Sequence, residues 1–303
     1  MADIRPFNVF LDFVIFCGVG ALVAIPYYYN LDFLPVLNRG FRCDDANIRY
    51  PLKTETVPEL YMLIGIAALI VFFLLGEILF YCIHMRKMDP EHQRCMPCGC
   101  TVHPIVANIY KMVGLYLFGA AVTYLFTLLV KRMVGSLRPN FMELCVPDYN
   151  CSSTHQTSSI VFDYECTGKD GDRARESFPS NHASSAFFCL VFVAMYFEGR
   201  LKWRSARLVK PLLQCACLMG ATAVALSRVY DFYNFVSDVI AGALLGAGIA
   251  ILVAYYLADL FRRRFSMGGH FAERDSSGVE MSNYIVGNQR TSPSGNNWAE
   301  YTM

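Results

Sequence analysis

The stretch LYMLIGIAALIVFFLLGEILFYCI, Leu60–Ile83, carries a single charged side chain, Glu77. A bilayer's hydrocarbon core is spanned by about 20 apolar residues of helix. Backbone polar groups have no water to bond with in lipid, so such a run reads as a helix and not a strand. Five further blocks have the same character: Phe7–Tyr29, Met112–Val130, Ala183–Phe197, Pro211–Leu226 and Val239–Phe261. The fourth and fifth of the six runs are short and are expected to extend by a turn into their flanks. The reading is an all-α fold, a six-transmembrane helical bundle. Across 303 residues the hydrophobic share is 55% and the charged share 17%. A soluble chain carries nearer a quarter of its residues charged. The net charge of +1 points to no nucleic-acid partner. Only Arg5 offers a Lys or Arg ahead of the first run, which is too long for a signal-peptide core and reads as a retained anchor.

Orientation follows from lysine and arginine in the loops. Six spans put both termini, the second loop and the fourth loop on one side. That side holds Arg86, Lys87, Arg94 and Lys111, then Arg200, Lys202, Arg204, Arg207 and Lys210, then Arg262, Arg263 and Arg264. It is read as cytoplasmic, in a plasma-membrane protein. Residues 1–265 form the membrane domain, and 266–303, rich in Ser, Gly and Asn, read as a disordered cytoplasmic tail. Gly242 and Gly246 form a small-xxx-small pair, expected to serve packing within the chain rather than a dimer face, although a homo-oligomer stays open.

Three polar stretches then fall at membrane ends on the extracytoplasmic side. They are KRMVGSLRP (Lys131–Pro139), FPSNHAS (Phe178–Ser184) and SRVYDFYNFVSD (Ser227–Asp238). Lys131 and Arg138 are separated by six residues, close to two helical turns, so a helix would point both the same way. Arg228 adds a third cation. Guanidinium forks match phosphate oxygens, and an ammonium adds a point charge. Ser180 precedes a helix start, where a cap and free N–H groups meet anions. His182 is placed to move a proton. Asp238 either caps the last helix or orients an imidazole. Taken singly, the bland readings are favoured: an arginine as interface anchor, a serine or aspartate as cap, a histidine as structural. The spacing of the set is what argues for a pocket.

That set resembles the signature of the lipid phosphate phosphatases, K-x6-RP, PSGH and SR-x5-H-x3-D, within the type-2 phosphatidate phosphatase superfamily. The matching residues are Lys131 with Arg138-Pro139, Pro179-Ser180-Asn181-His182, and Ser227-Arg228 with Asp238. The resemblance implies a loop-lined extracytoplasmic pocket in which Lys131, Arg138, Ser180, Asn181 and Arg228 surround phosphate. It implies His182 as general acid, no metal and no other cofactor. Its ligands would be phosphatidate, lysophosphatidate, sphingosine phosphate or ceramide phosphate, drawn from membrane lipids. The pattern breaks twice. Asn234 stands where the family has its nucleophilic histidine, and no histidine lies between His182 and His270. A carboxamide nitrogen, its lone pair delocalised, forms no phosphohistidine. Asn181 replaces a glycine whose backbone freedom asparagine only partly shares. Hydrolysis is therefore expected to be absent or very slow, in a natural non-catalytic member or in an enzyme disabled by substitution. Two departures favour the first.

Three functions compete: a phospholipid phosphatase in lipid metabolism and signalling, a non-catalytic lipid-phosphate binder, and a transporter, for which Glu77 within a span is the evidence. Of twelve cysteines, Cys43, Cys145, Cys151 and Cys166 fall outside the cytoplasm, and a bridge within the third loop, among Cys145, Cys151 and Cys166, is the expectation. Asn150, in Asn150-Cys151-Ser152, is a glycosylation acceptor if this loop is lumenal. Cys95, Cys98 and Cys100 invite zinc (with His92 or His103) or palmitoylation, with free thiols the default. Tyr301-Thr302-Met303 is a weak candidate for a PDZ groove.

Overall fold

A computed structural model describes residues 11–15, 17–22, 36–85, 104–149, 151, 160–168, 170–201 and 207–257. An apolar helix α1 runs over Leu11–Leu22, inside the first expected span. Helices α2 (Glu59–Phe80), α3 (Pro104–Val134), a short α4 (Phe141–Cys145), α5 (Asn181–Arg200), α6 (Val209–Tyr230) and α7 (Val236–Leu252) follow. Among the described residues, five helical stretches are long and apolar enough to cross a membrane: Glu59–Ile83, Ile105–Val134, Asn181–Arg200, Val209–Tyr230 and Val236–Leu257. The two short runs lengthen at both ends, as expected. The third begins well before Met112. The basic residues of the second loop from Arg86 to Arg94, Lys202 and Arg204, the CMPCGC cluster with His92 and His103, Asn150, and the tail with Tyr301–Met303 lie outside the described residues.

The bundle is built around α5, which packs on α2, α3, α6 and α7. This explains its modest hydropathy. It is the most enclosed of the spans, so it meets protein rather than lipid and can carry Ser184 and His182. An aromatic core joins it to α2 and α3. The Phe73 ring lies 5.0 Å from Tyr116, 5.6 Å from Phe192 and 5.2 Å from Tyr196, tilted or edge-on as ring quadrupoles favour. The outer faces of the other helices expose large apolar side chains, among them Leu63 and Leu75 on α2, Met219 on α6 and Leu244 on α7. A contiguous apolar belt of this kind is what a bilayer covers.

The closest seam joins α5 to α7. A Cβ on Gly242 would stand 2.5 Å from the Ser180 carbonyl oxygen, and one on Gly246 would overlap that of Ser184. The small-xxx-small pair thus serves packing within this chain. We expect Gly246→Ala to lower the thermal unfolding midpoint in detergent, by an overpacking cost of about 1–3 kcal/mol. Gly248, two residues on, has open space around it. Gly248→Ala should be neutral or slightly stabilising, since alanine is the better helix former. Equal effects at both positions would refute the close-approach account.

Over the end of the bundle where α5 begins sits a small cap. A two-stranded antiparallel sheet pairs Phe41 with Val161 and Arg42 with Ile160. Phe41, Ile48, Phe141, Tyr164 and Ala174 form its core. Disulfides join Cys145 to Cys166 and Cys43 to Cys151. The first is the expected bridge within the third loop. The second corrects the expectation for Cys151, whose partner lies in the first loop, in the same compartment by the derived topology.

At its other end α5 resolves the one charged side chain of the opening stretch. Glu77 is buried and accepts two hydrogen bonds from Arg200, at 3.0 and 2.9 Å. A carboxylate so paired is part of the bundle's packing, which removes the observation that favoured a transporter.

Candidate functional site

Helix α3 ends at Val134 because Gly135 adopts φ +57, its N–H closing onto the Lys131 carbonyl at 3.0 Å. This is the left-handed turn that glycine provides at helix C-termini. Lys131 therefore lies on the last turn of α3, while Arg138 lies beyond it. The expectation that one helix face aligns the two cations is corrected: tertiary contacts do so. The Arg138 N–H donates to the Ala174 carbonyl at 2.9 Å, and the Ser177 N–H to the Ser136 carbonyl at 2.9 Å. These tie the first motif to the segment leading into the second. The Lys131 ammonium, buried, donates to the Glu176 carbonyl at 2.6 Å.

Ser180 caps α5 as expected, its hydroxyl accepting from the Ala183 N–H at 3.5 Å. The same hydroxyl donates to Asn234 Oδ1 at 3.2 Å. The Ser180 N–H reaches the Asp238 carbonyl at 3.0 Å, so the second and third motifs meet directly. His182 is buried in the first turn, with Nε2 3.0 Å from the Val57 carbonyl. Asn181 opens the helix, and positive φ among the described non-glycine residues occurs only at Val146 and Phe232. The left-handed freedom of a glycine is therefore not needed at 181, and asparagine costs the backbone nothing there. Its Oδ1 is buried without a hydrogen-bond partner.

Asp238 is the third residue of α7, not its N-cap. Its Oδ2 accepts from the Phe235 N–H at 3.0 Å and from the Ser177 hydroxyl at 2.5 Å. The Asn234 Nδ2 donates to the Ser177 carbonyl at 2.6 Å. Ser177 thus stands between Asn234 and Asp238, holding the first by its carbonyl and the second by its hydroxyl. Sequence reading missed Ser177, which precedes the second motif and carries no signal of its own.

Arg228 is 3% exposed. Its guanidinium lies 4.4 Å from the centroid of the Tyr233 ring, and that of Arg138 lies 5.6 Å from the same ring. Burial pushes the Arg138 pKa down to about 10, the Arg228 charge adds to this, and Glu176 and Glu55 oppose it. It stays cationic at neutral pH. Nε of both arginines and Nη1 of Arg228 are buried without a hydrogen bond, and Glu55 approaches that Nη1 at 3.4 Å. Buried charges and unmet N–H groups are costly unless an anion meets them. The three motifs have therefore brought ammonium, guanidinium and hydroxyl donors to one end of the bundle. Asn234 supplies no nucleophile there.

Fold and site together define a class: multi-pass helical membrane proteins with buried cations gathered where four helices end. The chain belongs to the PAP2 superfamily, whose pattern matches residues 112–262, and within it to the lipid phosphate phosphatase family. It is 37% identical to mouse Phospholipid phosphatase 1 over 235 residues, covering 74% of this chain and 76% of that protein. It is 37% identical to human Phospholipid phosphatase 2 over 232 residues, 75% of each chain. Rat Phospholipid phosphatase 1 is 34% identical over 253 residues, 80% of this chain and 83% of the relative. No solved structure matches the chain significantly.

Proposed function

We propose that this protein binds lipid phosphomonoesters at the extracytoplasmic face of the plasma membrane and has lost most or all of the family's hydrolysis. Phosphatidate, lysophosphatidate and sphingosine phosphate are the ligand class. One observation carries the reading. Asn234, at the position where the family pattern has its nucleophile, is hydrogen-bonded between Ser180 and Ser177 amid a full set of cations. Lys131, Arg138, Ser180 and Arg228 would hold the phosphate, with Asn181 beside them. His182 would protonate a leaving alcohol if a nucleophile were present, and Asp238 positions Ser177. The membrane domain of 1–265, the cytoplasmic tail and termini, and a glycan on Asn150 belong to the same proposal.

The test is lysophosphatidate binding to purified protein in neutral detergent, with phosphate release followed in parallel. Arg228→Ala should weaken binding about 100-fold, as loss of charge-assisted bonds to phosphate does. The relatives, phospholipid phosphatases by name, support a second reading, an active phospholipid phosphatase. Turnover by the unaltered chain comparable to that of the mouse relative would favour it and overturn ours.

A further inference from the structure

The segment from Tyr50 to Val57, between the cap and α2, contacts all three motifs. The Tyr233 hydroxyl donates to the Lys53 carbonyl at 3.1 Å, and the Lys53 ammonium donates to the Tyr230 carbonyl at 3.2 Å. Thr56 gives its N–H and its hydroxyl to the buried Asp231 carboxylate, at 2.7 and 2.8 Å. Val57 takes up His182 Nε2, and just upstream the Tyr50 N–H donates to the Pro139 carbonyl at 3.0 Å. Phe232, at φ +61, has its ring 4.6 Å from Tyr50 and 4.2 Å from the Lys53 ammonium. All three motifs are thus held by one strap. At its middle the Glu55 carboxylate pairs with Arg228, and its charge also reaches Arg138.

We propose that Glu55 is a tethered competitor for the phosphate seat, and that it selects ligands by charge. This rests on the binding reading above. Two arguments support it. Glu55 faces the two guanidinium groups assigned to phosphate, yet at 3.4 Å it leaves Nη1 and Nε of Arg228 without hydrogen bonds. It neutralises the seat without filling it. The strap also engages the imidazole assigned to the leaving group, since the Val57 carbonyl, two residues from Glu55, meets His182 Nε2 at 3.0 Å. A phosphodiester lipid brings one negative charge, which only replaces the charge of Glu55. A phosphomonoester brings about −1.5 to −2 at neutral pH and gains by the exchange. In a bilayer made mostly of phosphodiester lipids, such an internal anion keeps the seat for monoesters.

The experiment compares lysophosphatidate, a monoester, with lysophosphatidylglycerol, a monoanionic diester, as ligands of the full chain in neutral detergent. Glu55→Gln should tighten lysophosphatidate about tenfold, the scale of one close charge pair, and bring diester binding into the measurable range. Thr56→Ala, which removes one of the strap's two bonds to Asp231, should move both affinities the same way by less. Glu59→Gln, at the first residue of α2 and paired at 4.0 Å with exposed Arg173, should change neither. Unchanged or weakened binding in both strap variants, with Arg228→Ala still weakening it about 100-fold, would end the strap proposal and leave the site reading standing. Absence of binding by the parent and all variants would end both.

Discussion

Asn234→His is expected to create a lipid phosphate phosphatase, raising phosphate release from lysophosphatidate by at least about 10³ over the parent. Loss of a nucleophile from a catalytic unit costs on the order of 10⁶, and binding and electrostatics leave a residue of acceleration behind. The expected gain is set below the full loss because Asp238 is already engaged by Ser177 and Phe235. An imidazole at 234 can donate from one nitrogen to the Ser177 carbonyl, which now accepts from the Asn234 Nδ2 at 2.6 Å. That leaves the lone pair of the other nitrogen for phosphorus. The bond to phosphorus forms as the ester P–O bond breaks, the departing alkoxide takes a proton from His182, and water then cleaves the phosphohistidine. A phosphoenzyme trapped after acid-free quenching should be found in Asn234→His alone. Asn234→Gln keeps the carboxamide and should stay inactive. Equal turnover in parent and Asn234→His would mean that chemistry here does not pass through position 234.

The legible and the illegible parts of the sequence divide along a physical line. Leu60–Ile83 was legible because lipid imposes length and apolarity on every residue of a span. The short runs within α5 and α6 were legible too, and α5 was weakest for a reason: it lies against four helices and needs less hydropathy. The cations were found by spacing in the three motifs, but the geometry offered for Lys131 and Arg138 failed. Gly135 ends the helix between them, and the alignment comes from Ala174 and Ser136 contacts distant in sequence. Asp238 suffered the same way, its role being fixed by Ser177, more than sixty residues earlier. Glu55, Tyr233 and Ser177 had no signal at all. They sit in irregular segments where neither a period of 3.6 nor a capping pattern marks a residue, and only tertiary approach gives them meaning. Gly242 and Gly246 mark the opposite case. Their spacing alone announced close packing, and the Ser180 and Ser184 carbonyls supply its partner surface.

Arg200→Ala is expected to be the most destabilising single change at the far end of the bundle. Glu77 is 1% exposed, and its two oxygens accept from Arg200 Nε and Nη2. Removing one partner of a buried pair typically costs about 3–5 kcal/mol, because the remaining charge is left uncompensated. Arg200 is partly exposed, so the lower part of that range is expected, read as a fall in the unfolding midpoint in detergent. The arginine also stacks its guanidinium 4.6 Å from the Phe80 ring, which adds lost packing to lost charge. The decisive comparison is Glu77→Gln with Arg200→Ala together. If the carboxylate's isolation causes the damage, neutralising it should recover most of the midpoint. If the contact of Arg200 with Phe80 dominates, the double variant should be as unstable as the single one. The same pair tests the transporter reading on its own ground. A Glu77 that carried an ion or proton would be needed for function whatever its partner. The packing account instead expects the stable double variant to bind lysophosphatidate as the parent does, because Glu77 and Arg200 meet where α5 ends and the proposed phosphate seat lies where it begins.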